Sequence, residues 1–325
     1  MSRFTDAAAA MHTLSLAAME EASRLGLRDA DIDHLLLALT IDADTGGQVL
    51  RRAGVRLDAT RAAVEAQHAG QLLAMGIDAP AVGPGRIVFH ETDGYDWTER
   101  ALAVLRAASQ GGRRGDSAAV LRALLAEPSG LIAAILGRLA VTEDDLTAQL
   151  DEVEGTARSP QPGRKPVAGG ITGSRSMFVP AAESEVRAVL ADPERLPEWE
   201  QSVAGVLPAG NDGPWEAFAP TTAPDGRPLR RKPEFHRLRV MREEESGALT
   251  WRFEYPDAPH ANPRALTMAL EPAAGGTQLR ATMTWEARPR GPVRRALRAP
   301  LLPLWRGLVF IQLAQVESGI SRLFR

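Results

Sequence analysis

The chain has 325 residues, of which 38 are basic and 41 acidic for a formal net charge of −3; 44% are hydrophobic and none is cysteine. That length favours two domains over one, the composition is that of a globular protein, and the absence of thiols excludes disulfides and thiolate metal sites and fits a reducing compartment. Residues 1–155 hold 14 Arg and 23 acidic residues (net −9) while residues 156–325 hold 24 basic and 18 acidic ones (net +6), which sets a boundary near 155 and speaks against nucleic-acid binding by the first half.

The opening segment, MSRFTDAAAAMHTLSLAAMEEASR, has early acidic residues and a periodic apolar pattern, so an amphipathic helix is expected rather than a leader peptide. Met11, Leu14, Ala18, Ala22 and Leu25 fall on one helical face, with Thr5 as the expected cap and Phe4 packing back on the first turn. A second helix is expected in DIDHLLLALT (31–40), where a carboxylate precedes an apolar run. Trp97-Thr98 before ERALAVLRAA repeats the Phe4-Thr5 pattern. VLRRAGVRLD (49–58) matches ILGRLAVTED (135–144) at an offset of 86, and LLLAL (35–39) matches VLRAL (120–124) at an offset of 85. The spacing therefore predicts two four-helix copies, with Asp58 and Thr142 capping the last helix of each and a loop over Gly76–Asp96.

Phe4-Thr5, Leu25-Gly26, the His34–Leu39 run and Val49-Leu50-Arg51 occur in an order that resembles the N-terminal domain of Clp-type unfoldase chaperones, over residues 1–154. The resemblance implies an all-α double repeat that receives protein substrates or adaptors. In some relatives, the acidic residue before the histidine, present in both copies, helps bind phosphorylated arginine. Here Asp33 keeps that carboxylate, and the matching Ala118 does not. Asp33 is therefore the candidate partner contact. No GxxxxGK[ST] motif is present, which excludes P-loop ATP hydrolysis.

His34 could be a metal ligand beside Asp31 and Asp33, or the start of a helix. No HxxxH or HExxH pairing supports a metal, and none is expected. The second copy keeps the carboxylate as Asp116 and replaces His34 with Ala119. A helix start explains both, since its free N–H groups want an acceptor and negative charge.

Residues 155–170, GTARSPQPGRKPVAGG, read as a linker. Beyond it, a strand is expected over 171–179, a short helix over 183–191, and a second short helix opened by Asp192-Pro193 and closed at Pro197. Alternation then predicts antiparallel strands: Leu249, Trp251, Phe253 and Tyr255; Leu266, Met268 and Leu270; Leu279, Ala281, Met283 and Trp285. Weaker strands are expected at 203–207, 215–219 and 235–242, with turns at 211–213 and 273–276 and a long helix from about Pro292 to Phe324.

SRSMFVPAAESEVRAVLADPERLPEW (174–199) and the element order that follows resemble START-like proteins of the SRPBCC, or polyketide cyclase and dehydrase, superfamily. The resemblance implies an α+β helix-grip domain over residues 171–325, an antiparallel sheet around the C-terminal helix with room for a small hydrophobic molecule. Trp199, Trp251, Tyr255, Met268, Met283, Trp285 and Trp305 are the candidate cavity wall, with plain core as the alternative. His236, beside Arg237, is the candidate polar group there; no acid stands at a diagnostic spacing from it, so catalytic residues stay unassigned.

Residues 286–325 carry eight Arg and two Glu around an apolar centre, which suits either a membrane surface or a helix packed on the sheet; the fold requirement favours the second. The sequence thus favours a cytoplasmic, non-ATPase binding protein without cofactor. A small hydrophobic ligand would occupy the C-terminal domain and a protein partner would dock on the N-terminal one. An SRPBCC-type cyclase or dehydratase with an accessory domain is the alternative.

Overall fold

The computed structural model describes residues 3–78, 85, 87, 96–110, 115–156, 170–207, 213–223, 226–286 and 302–325. The chain divides into two compact units, Met1–Gln161 and Pro162–Arg325. The loop expected over 76–96, the turn at 211–213 and the first part of the C-terminal helix fall largely outside the described residues, as does the linker between 157 and 169.

The first unit is helical: α1 (Arg3–Arg24), α2 (Ile32–Thr40), α3 (Thr45–Arg52), α4 (Leu57–Ala74), α5 (Glu99–Ser109), α6 (Ser117–Leu125), α7 (Leu131–Arg138) and α8 (Glu143–Thr156). The repeat is visible in the helix bounds. α6 begins 85 residues after α2, and α7 and α8 begin 86 after α3 and α4. Its physical basis is local. Asp31 and Asp116 each cap the helix that follows, and each of those helices then buries a leucine-rich face, with Leu35, Leu36 and Leu39 in one and Leu121 and Leu124 in the other. The copies touch at the start of α3, where the Gly46 N–H donates to Ser117 Oγ at 3.0 Å. They also share a two-residue parallel pairing between β1 (Asp29–Ala30) and β2 (Asp96–Trp97).

Several helix starts differ from expectation. α1 already runs from Arg3, so Thr5 lies inside the helix, and α4 starts at Leu57, so Asp58 sits in its first turn. Thr98 and Thr142 do cap, accepting from the backbone N–H groups of Ala101 at 3.3 Å and Asp145 at 3.2 Å. The difference is reasonable physically: an apolar face fixes where a helix lies, while one extra turn costs little where backbone groups can reach water.

The second unit is a seven-stranded antiparallel sheet with a long helix. In chain order it comprises β3 (Ile171–Val179), α9 (Glu183–Ala191), α10 (Leu196–Trp199), β4 (Gly205–Val206), β5 (Trp215–Phe218), β6 (Arg237–Glu245), β7 (Ala248–Glu254), β8 (Arg264–Ala273), β9 (Gly276–Trp285) and α11 (Leu302–Leu323). The strand order is β3-β9-β8-β7-β6-β5-β4. Asp192 accepts from Glu194 N at 2.9 Å and opens a single 3-10 turn. Pro197 lies within the first turn of α10 rather than ending a helix, because a proline there gives up an N–H that has no helical partner.

One face of the sheet is buried: Leu238 and Val240, Leu249, Trp251 and Phe253, Leu266 and Met268, Leu279, Ala281 and Met283. The other face carries hydroxyl ladders such as Thr250–Thr267 at 3.0 Å and Ser174–Thr282 at 2.9 Å. Helix α11 presents Val309, Leu313, Val316 and Ile320 to the buried face, and each such side chain taken from water contributes roughly 1.5–3 kcal/mol. Two glycines permit this docking. A Cβ on Gly173 would lie 2.8 Å from Val309 Cγ1, and one on Gly319 would lie 2.4 Å from the Trp199 carbonyl oxygen. No helix among the described residues is long and apolar enough to cross a membrane.

Candidate functional site

Two groups of polar side chains stand out because they are buried. The first is at the start of α2. Asp31 accepts from Ile32 N at 2.8 Å and from Thr98 Oγ1 at 2.6 Å, and Arg100 pairs with it. The ring of His34 closes the cap, with the Asp31 backbone N–H 3.1 Å from Nδ1. His34 is 1% exposed, and Nε2 is buried without a partner among the described residues.

Asp33 is likewise 1% exposed. Its Oδ1 accepts from His34 N at 2.8 Å, and its Oδ2 lies 3.0 Å from Nε2 of His68, which α4 delivers. Burial pushes the Asp33 carboxyl up, but the hydrogen bonds from His34 and His68 outweigh it and hold the group well below the usual carboxylate range. The same bond raises His68 above its ordinary value against a smaller opposing effect of burial. The sequence-predicted contact Asp33 thus lies beneath His68. The side chains open to solvent are His68, 40% exposed, and Arg100, 44% exposed. Sequence reasoning missed His68, because nothing in its local pattern ties it to a residue 35 positions earlier. Among the described residues, no group of three or more His, Asp or Glu is placed to hold a metal ion.

The second group lies on the buried face of the sheet. Arg264 opens β8 on the same side as Leu266 and Met268, in register with Phe253 on one neighbour and Trp285 on the other. Its guanidinium sits 4.2 Å over the Phe253 ring. It donates to Ser202 Oγ at 2.7 Å and lies 3.4 Å from Oε1 of Glu200. That carboxylate follows α10 directly and is 3% exposed. Glu200 Oε1 also accepts from Ser202 N at 3.1 Å. Glu200 Oε2, the neighbouring Trp199 Nε1 and Asn262 Oδ1 are buried without a partner among the described residues.

The expected wall residues distribute around this group. Trp251, Met268 and Met283 are fully buried on the sheet face, and Trp251 Nε1 donates to the Leu190 carbonyl at 2.8 Å. Trp285 donates to Gln312 Oε1 at 3.1 Å and meets Trp305 of α11 edge to face, with ring centroids 5.5 Å apart. Trp199 is buried, its backbone pressed against α11 at Gly319. Tyr255, just beyond β7, is partly buried and packs edge-on against Phe235. His236 stands apart, its Nε2 3.2 Å from the Arg231 carbonyl. Arg237 is solvent-facing beside Asp257 and Glu216. Polar groups that do reach the buried face include Glu200 and Arg264, which sequence reasoning passed over, and Arg175 of β3, whose Nε lies 2.7 Å from Glu317 of α11. A signal existed: Arg264 occupies the inward parity of a strand whose next inward residues are leucine and methionine.

Residues 171–315 match the family described as polyketide cyclase / dehydrase and lipid transport. Among solved structures, the N-terminal domain of the caseinolytic protease associated chaperone ClpD from Arabidopsis thaliana is 20% identical, covering 44% of this chain and 91% of that one, at a TM-score of 0.34. The di-domain aromatase/cyclase StfQ of the steffimycin biosynthetic pathway is 16% identical, covering 60% of this chain and 59% of that one, at 0.34. A START superfamily protein from Mycobacterium smegmatis is 15% identical, covering 47% of this chain and 98% of that one, at 0.30. No curated protein matched the chain.

Proposed function

We propose that the chain is a cytoplasmic, non-ATPase binding protein. Its C-terminal unit takes a small, largely apolar ligand against the sheet face covered by α11, and its N-terminal unit is a Clp-N-like module that docks a protein partner. The observation that carries the first part is the make-up of that face. Trp251, Phe253, Met268, Met283 and Trp285 form an aromatic and thioether wall that also carries the charged pairs Arg264–Glu200 and Arg175–Glu317. Apolar walls with a few fixed polar groups suit a small organic ligand: the walls supply affinity and the polar groups orientation. The family match over residues 171–315 agrees with this reading. For the second part, the support is the helical double repeat, with His68 and Arg100 as its solvent-facing charges above Asp33 and Asp31.

The test is native mass spectrometry of the full chain purified from its own cells. A co-purifying small molecule, released on denaturation and lost in a Met268→Arg variant, is the expected result. Ligand-free protein whose tryptophan fluorescence responds to no apolar probe would count against it.

An enzymatic reading has one specific observation in its favour. A cyclase or dehydratase needs a group to take a proton, and Glu200 is a buried carboxylate with one oxygen that has no partner among the described residues. Turnover of a bound polyketide-like compound, abolished by Glu200→Gln with binding retained, would favour the enzyme.

A further inference from the structure

Buried polar atoms in folded proteins almost always have partners, because an unmade hydrogen bond in a low-dielectric interior is costly. Among the described residues of the second unit, Trp199 Nε1, Glu200 Oε2 and Asn262 Oδ1 break that rule. They are not scattered along the chain. Trp199 and Glu200 are consecutive, and Asn262 stands two residues before Arg264, the ionic partner of Glu200.

The carboxylate of Glu200 is held rather than loose. Ser202 N at 3.1 Å and Arg264 fix Oε1, and Arg264 is fixed in turn by Ser202 Oγ and by the Phe253 ring. The fixing leaves Oε2 as a buried acceptor on a held carboxylate, beside an arginine that itself stacks on the Phe253 ring. Its charge is already matched by Arg264, so an anionic group would meet the carboxylate without gaining a free cation. A group that donates a hydrogen bond gains a charge-assisted one.

From this we infer that Glu200 is the specificity-determining contact of the ligand face. Its Oε2 accepts a hydrogen bond from a hydroxyl on an otherwise apolar, ring-bearing ligand, and Arg264 and Ser202 act as positioning residues for that carboxylate. The inference rests on the ligand-binding reading above and adds the chemical class. The ligand is a neutral hydroxylated molecule rather than a carboxylate or phosphate.

The experiment uses the full-length protein and three probes that share one ring system: 2-naphthol, 2-methoxynaphthalene and 2-naphthoate. Affinity is read by calorimetry and by quenching of tryptophan fluorescence, in the wild type, Glu200→Gln and Glu200→Asp. The hydroxyl is expected to bind about tenfold or more tighter than its methyl ether, the range of one hydrogen bond to a charged group. Both variants should bring that ratio toward one while the ether still binds. Because two probes are compared on the same sample, partial loss of folded protein cancels from the ratio. Equal binding of naphthol and its ether in the wild type would overturn the inference and leave apolar binding standing; it would mean that Oε2 is completed by a buried water only. Naphthoate binding as tightly as naphthol, or a preference unchanged in both variants, would overturn it as well. Binding of none of the three would remove the ligand-binding reading and the inference with it.

Discussion

Asp33 of the first unit and Glu200 of the second are both nearly sealed from solvent, at 1% and 3% exposure. They differ in what the protein leaves open. Both oxygens of Asp33 face protein groups, one the backbone N–H of His34 and the other the ring of His68. Glu200 has one oxygen fixed and one without a partner among the described residues. A buried carboxylate whose acceptors are all occupied works as a fastener: here it ties α2 to α4. A buried carboxylate with a free, oriented oxygen can meet something from outside. Burial and charge are alike in the two sites, so the difference lies in counting partners atom by atom.

The largest expected effect tests the Glu200 side. Arg264→Leu would strand a buried carboxylate without its counter-charge and should cost the second unit about 3–5 kcal/mol in urea unfolding, followed by circular dichroism. A cost below about 1 kcal/mol would mean that Glu200 is not held in the way described.

The Asp33 side should respond next. Asp33→Asn turns one acceptor into a donor facing a donor, and should cost the first unit about 2–3 kcal/mol. Hydrogen exchange read by mass spectrometry would show faster exchange in α2 and α4 and none in β7 or β8. Unchanged affinity for 2-naphthol in this variant would sharpen the contrast between a fastener and a contact.

A pH series separates the two further. The His68 value is raised by its bond to Asp33, so its contribution is complete below its ordinary 6.5 and is lost as the pH rises through the raised value. Asp42 is pushed up to about 6 by burial and by the neighbouring Asp44, so it favours the fold at low pH and that contribution is lost as the pH climbs through about 6. Asp33 works in the opposite sense: its contribution is present above its ordinary 3.8 and lost only as the pH falls through the lowered value. The first unit should therefore lose stability between pH 5 and pH 8, by about 1 kcal/mol once solvent screening of the half-open His68 is allowed for. Stability flat across that range would break the proposed tie.

The smallest effect belongs to His68→Ala. It removes the exposed half of the tie and should cost about 0.5 kcal/mol at pH 7. It should also remove the part of the pH dependence above about pH 6.5 while leaving the part that Asp42 contributes near pH 6, a change that simple loss of packing would not produce.

Much of the fold was legible in the residues because it rests on short-range rules. Asp31 and Asp116 announce helix starts at the same point of two copies, since free N–H groups need an acceptor wherever a helix begins. Leu266, Met268 and Leu270 announce a strand with one buried face, since side chains alternate across it. Exact helix starts were less legible. Thr5 lies inside α1, which already runs from Arg3, and Asp58 lies in the first turn of α4 rather than before it.

The candidate sites were less legible than the fold. Asp33 could be singled out from its neighbours, but its partner His68 comes from α4 and its burial from the packing of several helices. Glu200 and Arg264 are 64 positions apart and meet only because the sheet places β8 behind the chain that leaves α10. The same geometry explains Arg175, which also takes an inward strand position and finds Glu317 on α11 at 2.7 Å. A charge at the inward parity of a strand is a usable signal, because it demands a partner from another element.

By itself, the sequence determined the two-part organisation, the doubled helical unit, the antiparallel sheet with its closing helix, and the aromatic side of that sheet. Each follows from periodicity, capping and turn chemistry, which act over a few residues. Only the tertiary structure decided which buried carboxylate is fully occupied and which keeps an oxygen free. That outcome depends on directed hydrogen bonds between segments far apart in the chain, and no local pattern encodes their angles or distances.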